Sequence, residues 1–180
     1  MRIYTGTGDD GTTGLLFGGR VSKGSAEIAA TGDADETQAA IGVARALAPP
    51  ASELDTILVG LARDLYVLMA ELGTAPANRH KLDPGRTLVT EEMVTALEAR
   101  IDELKTQFEP ITDFIIPGQT PVAAALDLAR TVARRAERSA LTVVDDGSFV
   151  GRYLNRLSDL LWTMARWQEG DHLRARDTRS

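Results

Sequence analysis

Apolar residues recur at intervals of three and four along most of this chain, the spacing that collects them on one side of an α-helix. The clearest run is Leu54, Leu58, Leu61, Leu65, Leu68 and Leu72, closed by Gly73, a residue suited to ending a helix. Val94, Leu97, Ile101, Leu104 and Phe108 repeat the seam, and Pro110 marks where it must stop. Val122, Ala125, Leu126, Ala129, Val132, Ala133, Ala136 and Ala140 form one arc of a further helix, and Val150, Leu154, Leu157, Leu161, Met164 and Gln168 form another. Ahead of these, Asp33 or Asp35 is placed to cap a helix through Ile41, Ala44 and Ala48 that ends at Pro49-Pro50. Residues 74–89 read as a loop, and strand-like alternation is confined to Arg2–Tyr4. The pattern predicts an all-α protein, an up-and-down five-helix bundle over residues 33–168 within a single domain spanning 1–180. The charged residues 169–180 read as a frayed tail.

The first 24 residues hold no such period, and seven of the sixteen glycines fall there, between Gly6 and Gly24. They predict an ordered loop. Composition narrows the possibilities further. Apolar residues make up 43% and aromatics only 5%, with abundant Ala and Leu, a mix suited to closely packed helices. The net charge of -6 opposes a nucleic-acid-binding surface, so any anion site must be local. Without cysteine, disulfides, thiolate metal sites and cysteine nucleophiles are excluded, and a reducing compartment fits. No signal-like or membrane-spanning apolar run is present, so the expectation is a soluble cytoplasmic protein that binds neither membrane nor nucleic acid.

Two features suggest a bound polyphosphate. The loop MRIYTGTGDDGTTGLLFGGRVSKG combines glycines, whose N–H groups can converge, with the hydroxyls of Thr5, Thr7, Thr12 and Thr13 and the charge of Lys23. It is not a Walker A sequence. On the fourth helix, Asp127, Arg130, Arg134, Glu137 and Arg138 share an arc of about 100°. That face reads either as a solvated surface laced by pairs such as Asp127 with Arg130 and Arg134 with Glu137, or as a guanidinium clamp for phosphate. Arg130 and Arg138 stand about 12 Å apart along the axis, far enough to serve ligand and neighbouring subunit separately. The fifth helix carries Arg152, Asn155, Asp159 and Arg166 on one polar strip. Asn155 is the unusual member, because asparagine disfavours helix interiors unless it makes a specific hydrogen bond.

Taken together, YTGTGDDGTTGL with Arg20 and Lys23, GDADETQAAIG at 32–42, DFIIPG at 113–118, ARTVARRAER at 129–138 and YLNRLSDLLWTMAR at 153–166 resemble the PduO-type ATP:cob(I)alamin adenosyltransferases in order and spacing, over nearly the whole chain. The resemblance implies a five-helix bundle assembled as a homotrimer, with ATP between subunits. It implies that Thr5, Gly6, Thr7, Gly8, Thr13, Gly14 and Lys23 hold the triphosphate, and that Arg134, Arg135, Glu137, Arg138 and Asn155 complete the nucleotide site. Arg134, Asn155 and Arg130 take the catalytic roles, Asp35 and Arg130 join subunits, and Phe114 lies against the corrinoid. The chain departs from the family pattern at Gly6, where a cation is usual, at Gln119, where glycine is usual, and at Asp127, where histidine is usual.

The reaction so implied moves the 5′-deoxyadenosyl group of ATP to the Co(I) of reduced cobalamin and releases triphosphate. Co(I) is the nucleophile, which suits a chain with no Cys and only His80 and His172. Mg²⁺ accompanies ATP without a named protein ligand, and a flavin-type reductase is the implied source of Co(I). The alternative is a nucleotide- or corrinoid-binding module that carries or senses adenosylcobalamin with little turnover. A ferritin-like oxidase would need Glu-x-x-His pairs, which the sequence lacks.

Overall fold

A computed structural model describes residue 4 and residues 6–176. A hairpin of two short strands, β1 (Thr12–Gly14) and β2 (Arg20–Ser22), precedes five helices: α1 (Ala26–Leu47), α2 (Glu53–Leu72), α3 (Glu91–Lys105), α4 (Pro121–Ala140) and α5 (Val150–Glu169). A 3₁₀ turn at Pro76–Lys81 lies between α2 and α3. The side chains of Ser52, Thr90 and Thr120 each accept a hydrogen bond from the N–H three residues on and so cap α2, α3 and α4. Pro121 opens α4 where a missing N–H costs nothing. Gly170, at φ 73°, closes α5 in a conformation that glycine adopts without strain.

The core follows the apolar seams. Leu58, Leu65 and Leu68 of α2 are fully buried, as are Leu154, Leu157 and Leu161 of α5. Along α4 the buried positions are mostly alanine, including Ala129, Ala133, Ala136 and Ala140. These small side chains let α4 pack closely against both α1 and α5. α1 also packs on α2, and α3 on α5. No helix among the described residues is long and apolar enough to cross a membrane.

Four expectations need correction. α1 begins at Ala26, after Ser25, and not at an Asp33 or Asp35 cap. Ala30 and Ala34 are fully buried, and this packing holds the extra turns through Gly32 and Thr31 despite their modest propensity. Asp33 instead accepts from Ser139 Oγ and from Arg135 Nε at 3.2 Å, tying α1 to α4. Second, Phe108 lies beyond the end of α3, and its ring meets His172 edge-on at 6.5 Å. Third, the tail is docked: Leu173 O accepts from Ile116 N at 2.9 Å, and Ala175 N donates to Phe114 O at 2.8 Å. Fourth, the glycine-rich loop contains the hairpin, because three-residue strands are too short to show a period. Of the Arg2–Tyr4 alternation, Arg2 and Ile3 lie outside the described residues.

Candidate functional site

The N-terminal loop is shaped by local hydrogen bonds. Asp10 Oδ1 accepts from the Thr12 hydroxyl at 2.8 Å and from Thr12 N at 2.9 Å. These bonds, with Arg20 nearby, hold the Asp10 carboxyl below its ordinary range. Arg20 donates to Thr12 Oγ1 and to Thr7 O, clamping the loop across the hairpin. Thr13 pairs with Val21 and Gly14 with Arg20 in the hairpin register. At Gly8 a Cβ would stand 3.0 Å from Thr12 O and 3.1 Å from Lys23 Nζ, so glycine leaves the space into which the ammonium reaches. Gly6 has φ 73°, a left-handed conformation that the usual cation of that position would adopt only with strain. Thr5 lies outside the described residues.

The second group sits on α4 and α5. Glu137 Oε1 accepts from Asn155 Nδ2 at 3.1 Å, and Asn155 Oδ1 accepts from Arg156 Nη1 at 2.6 Å. Asn155 thus gains the specific bond that its helical position calls for, and Glu137 pairs across helices instead of with Arg134. Glu137 and Asn155 line a cavity of about 480 Å³ together with Asp145, Asp146, Gly147 and Ser148 of the α4–α5 turn. Arg134 is exposed, and its guanidinium has no partner among the described residues. Arg138 folds back to donate to Arg134 O at 2.8 Å. Arg135 points elsewhere, pairing with Asp33 and Glu36 of α1, and these carboxylates raise its pKa further.

A third group surrounds a cavity of about 410 Å³ lined by Phe114, Asp127, Arg130, Trp162 and Arg166. Phe114 is 82% exposed at its rim. At the floor, Arg166 Nη2 pairs with Asp127 Oδ2 and with Glu169 Oε1, while Asp127 Oδ1 accepts from Arg130 Nε at 3.2 Å. Arg166 is 1% exposed and Asp127 5%. Both had been expected on polar faces. Asp127 turns inward because Arg166 supplies a buried countercharge, so its negative charge is compensated by two guanidiniums and is not presented to a phosphate. The sequence reading missed Arg166 as a site residue. Its spacing from the exposed Asp159 suggested a solvent-facing position, and the countercharge that buries it, Asp127, lies 39 positions away in sequence.

The loop and the helical group do not share a cavity in one chain: the walls around Glu137 and Asn155 come from α4, α5 and the turn between them. Asp35 is exposed on α1 and has no hydrogen bond or ion pair among the described residues. No cluster of three or more metal-ligating side chains occurs among the described residues.

Comparison with known proteins places this arrangement in a family. The family model described as cobalamin adenosyltransferase matches residues 3–168. The corrinoid adenosyltransferase of Mycobacterium tuberculosis is 42% identical over 170 residues, covering 92% of this chain and 87% of the relative. That of Bacillus subtilis is 36% identical over 173 residues, covering 92% and 86%. Among solved structures, a phenylalanine-to-histidine variant of the PduO-type ATP:corrinoid adenosyltransferase from Lactobacillus reuteri, complexed with cobalamin and ATP, aligns with a TM-score of 0.87 at 27% identity over 99% of this chain and 98% of that one. Bundle and sequence agree, and the chain belongs to the cobalamin adenosyltransferase family.

Proposed function

We propose that this protein transfers the 5′-deoxyadenosyl group of ATP to the Co(I) centre of reduced cobalamin, forming adenosylcobalamin and releasing triphosphate. The observation that carries the reading is that one chain bears two cations whose side chains have no partner among the described residues, Lys23 over the glycine loop and Arg134 on α4, and a Phe114-rimmed cavity with a polar floor. The first suits a polyphosphate and the second a large, mostly apolar ring bearing polar side chains.

In the transfer, the lone pair of Co(I) attacks C5′ of ATP. The cobalt–carbon bond forms as the C5′–O bond breaks, and that electron pair leaves on triphosphate, so cobalt is oxidised from Co(I) to Co(III). No general base is required. The protein aligns the reactants and stabilises charge on the leaving group. The N–H groups around Gly6, Gly8 and Gly14, the hydroxyls of Thr5, Thr7 and Thr13, and Lys23 would hold the triphosphate. Arg134 and Arg138 would meet its developing charge, with Arg135 tying their helix to Asp33 and Glu36 of α1. Glu137 and Asn155, already bonded to each other, would orient the nucleoside. Phe114 would lie against the corrinoid, above Arg130. Mg²⁺ would travel on the phosphate oxygens and water.

The separation of loop and helical groups within one chain supports a site completed by a second copy, and a homotrimer joined through Asp35 and Arg130 accommodates it. A flavin-type reductase would supply Co(I), in the cytoplasm. The deciding experiment is incubation with ATP and chemically reduced cobalamin under anaerobic conditions. Adenosylcobalamin and triphosphate should form in equal amounts; binding of both ligands without product would instead support a carrier or sensor module.

A further inference from the structure

The stretch from Glu71 in the last turn of α2 to Arg79 in the 3₁₀ turn carries none of the residues assigned above, yet it anchors both loops that border the nucleotide groups. Towards the N-terminal loop, Gly73 O accepts from Leu16 N at 2.8 Å, Thr74 bridges Leu16, and Asn78 Nδ2 donates to Phe17 O at 3.4 Å. Towards the α4–α5 turn, Glu71 Oε1 accepts from Ser148 Oγ at 2.6 Å, Arg79 Nη2 donates to Val143 O at 2.9 Å, and Arg79 pairs with Asp145. Ser148 Oγ in turn accepts from Val150 N at 3.2 Å, the first residue of the helix that carries Asn155.

Glu71 is 5% exposed, and its second oxygen accepts from Val89 N at 2.8 Å. It sits among the leucines of α2, between the buried Leu68 and Leu72. A leucine there would add apolar burial without the desolvation cost of a carboxylate, so stability alone does not account for an acid. What the acid adds is direction: each oxygen fixes a different loop. Ser148 and Asp145 both line the cavity of Glu137 and Asn155, so a shift of this turn moves the cavity wall itself.

We propose that Glu71 and Arg79 are positioning residues for the nucleotide site. They set the α4–α5 turn and the start of α5, and through the same segment they set the seat of the Lys23 loop. Neither touches substrate. The inference rests on the reading of Lys23, Glu137 and Asn155 as nucleotide-binding. The corrinoid cavity lies further along the bundle, on the first half of α4 and the second half of α5, and should be insulated from them.

The test is steady-state kinetics on the full chain, varying ATP and cob(I)alamin separately, with thermal melts of each variant. Glu71→Ala and Arg79→Ala should raise KM for ATP roughly tenfold or more while KM for cob(I)alamin stays within about twofold, since small displacements of positioning groups have effects of this size. Glu71→Gln, which keeps an acceptor for Ser148, should lie much closer to wild type than Glu71→Ala. Ser148→Ala leaves Glu71 bonded to Val89 and supplies the same comparison should the Glu71 variants not fold. Equal rises in both KM values, or a loss of rate that merely tracks the unfolded fraction, would overturn the proposal. ATP titration of the protein without cobalamin separates this failure from that of the underlying reading: a wild type that does not bind ATP sinks both, whereas tight wild-type binding with unchanged affinity in the variants sinks the positioning role alone.

Discussion

At Arg134 and Asp127, seven residues or about two turns apart and so on nearly the same face of α4, the helix presents one charge to solvent and buries another. Arg134 is exposed and without a partner among the described residues, so its removal leaves nothing uncompensated. Arg134→Ala should lower kcat/KM by roughly 10²–10³, the range for losing one preorganised donor to developing charge, with circular dichroism and assembly mass unchanged. Loss of the fold would make Arg134 structural instead. Asp127 is the reverse case. Asp127→Ala would leave Arg166, 1% exposed, with Glu169 as its remaining countercharge, and should cost about 1.5–3 kcal/mol, readable by urea denaturation. A cost near zero would mean that the buried bridge contributes nothing.

Among the elements, α2 and α5 are joined by a polar contact inside an otherwise apolar seam. Tyr153, fully buried on α5, donates from its hydroxyl to Asp64 Oδ2 on α2 at 2.9 Å. Burial raises the Asp64 carboxyl above its ordinary value, and the Tyr153 bond offsets this only in part. A carboxyl that binds its proton more tightly when folded contributes most stability below its unfolded pKa of about 3.9 and loses that contribution as pH rises through the raised folded value. Denaturation of wild type and Asp64→Asn across about pH 3 to 7 should therefore show wild type losing ground to the variant as pH increases. A stability difference that does not vary with pH would refute the assignment. At the same scale, α1 was mistaken by two turns because Asp33 looks like a cap in sequence, and only its bonds to Ser139 and Arg135 show it to be a cross-helix tie.

For the whole molecule, the proposed assembly rests on Asp35 of α1, whose carboxylate has no partner among the described residues, and on the loop that stands apart from the Glu137–Asn155 cavity. If Asp35 and Arg130 join subunits, Asp35→Arg should shift the sedimentation of the protein towards smaller species, and adding Arg130→Asp should restore it; an assembly indifferent to Asp35→Arg would remove that pair from the interface. Much of this protein was legible beforehand. The five helices follow from spacing, since burying one stripe of Leu and Ala is the same demand in any helical bundle, and the motif segments marked the family because phosphate and corrinoid recognition constrain residue type as well as position. Other features depended on partners distant in sequence. The inward turn of Asp127 needs Arg166, 39 positions away, and the bonds that hold Glu71 come from Val89 and Ser148, 18 and 77 positions away. The docking of residues 173–175 on the Phe114 segment is a backbone pairing that composition does not signal. Sequence by itself determined which faces must be apolar and which residue types the chemistry requires, because those follow from local periodicity and charge. Only the tertiary structure decided which charges are buried, paired or left free, because the energy of a charge depends on the solvent and countercharges that folding brings to it.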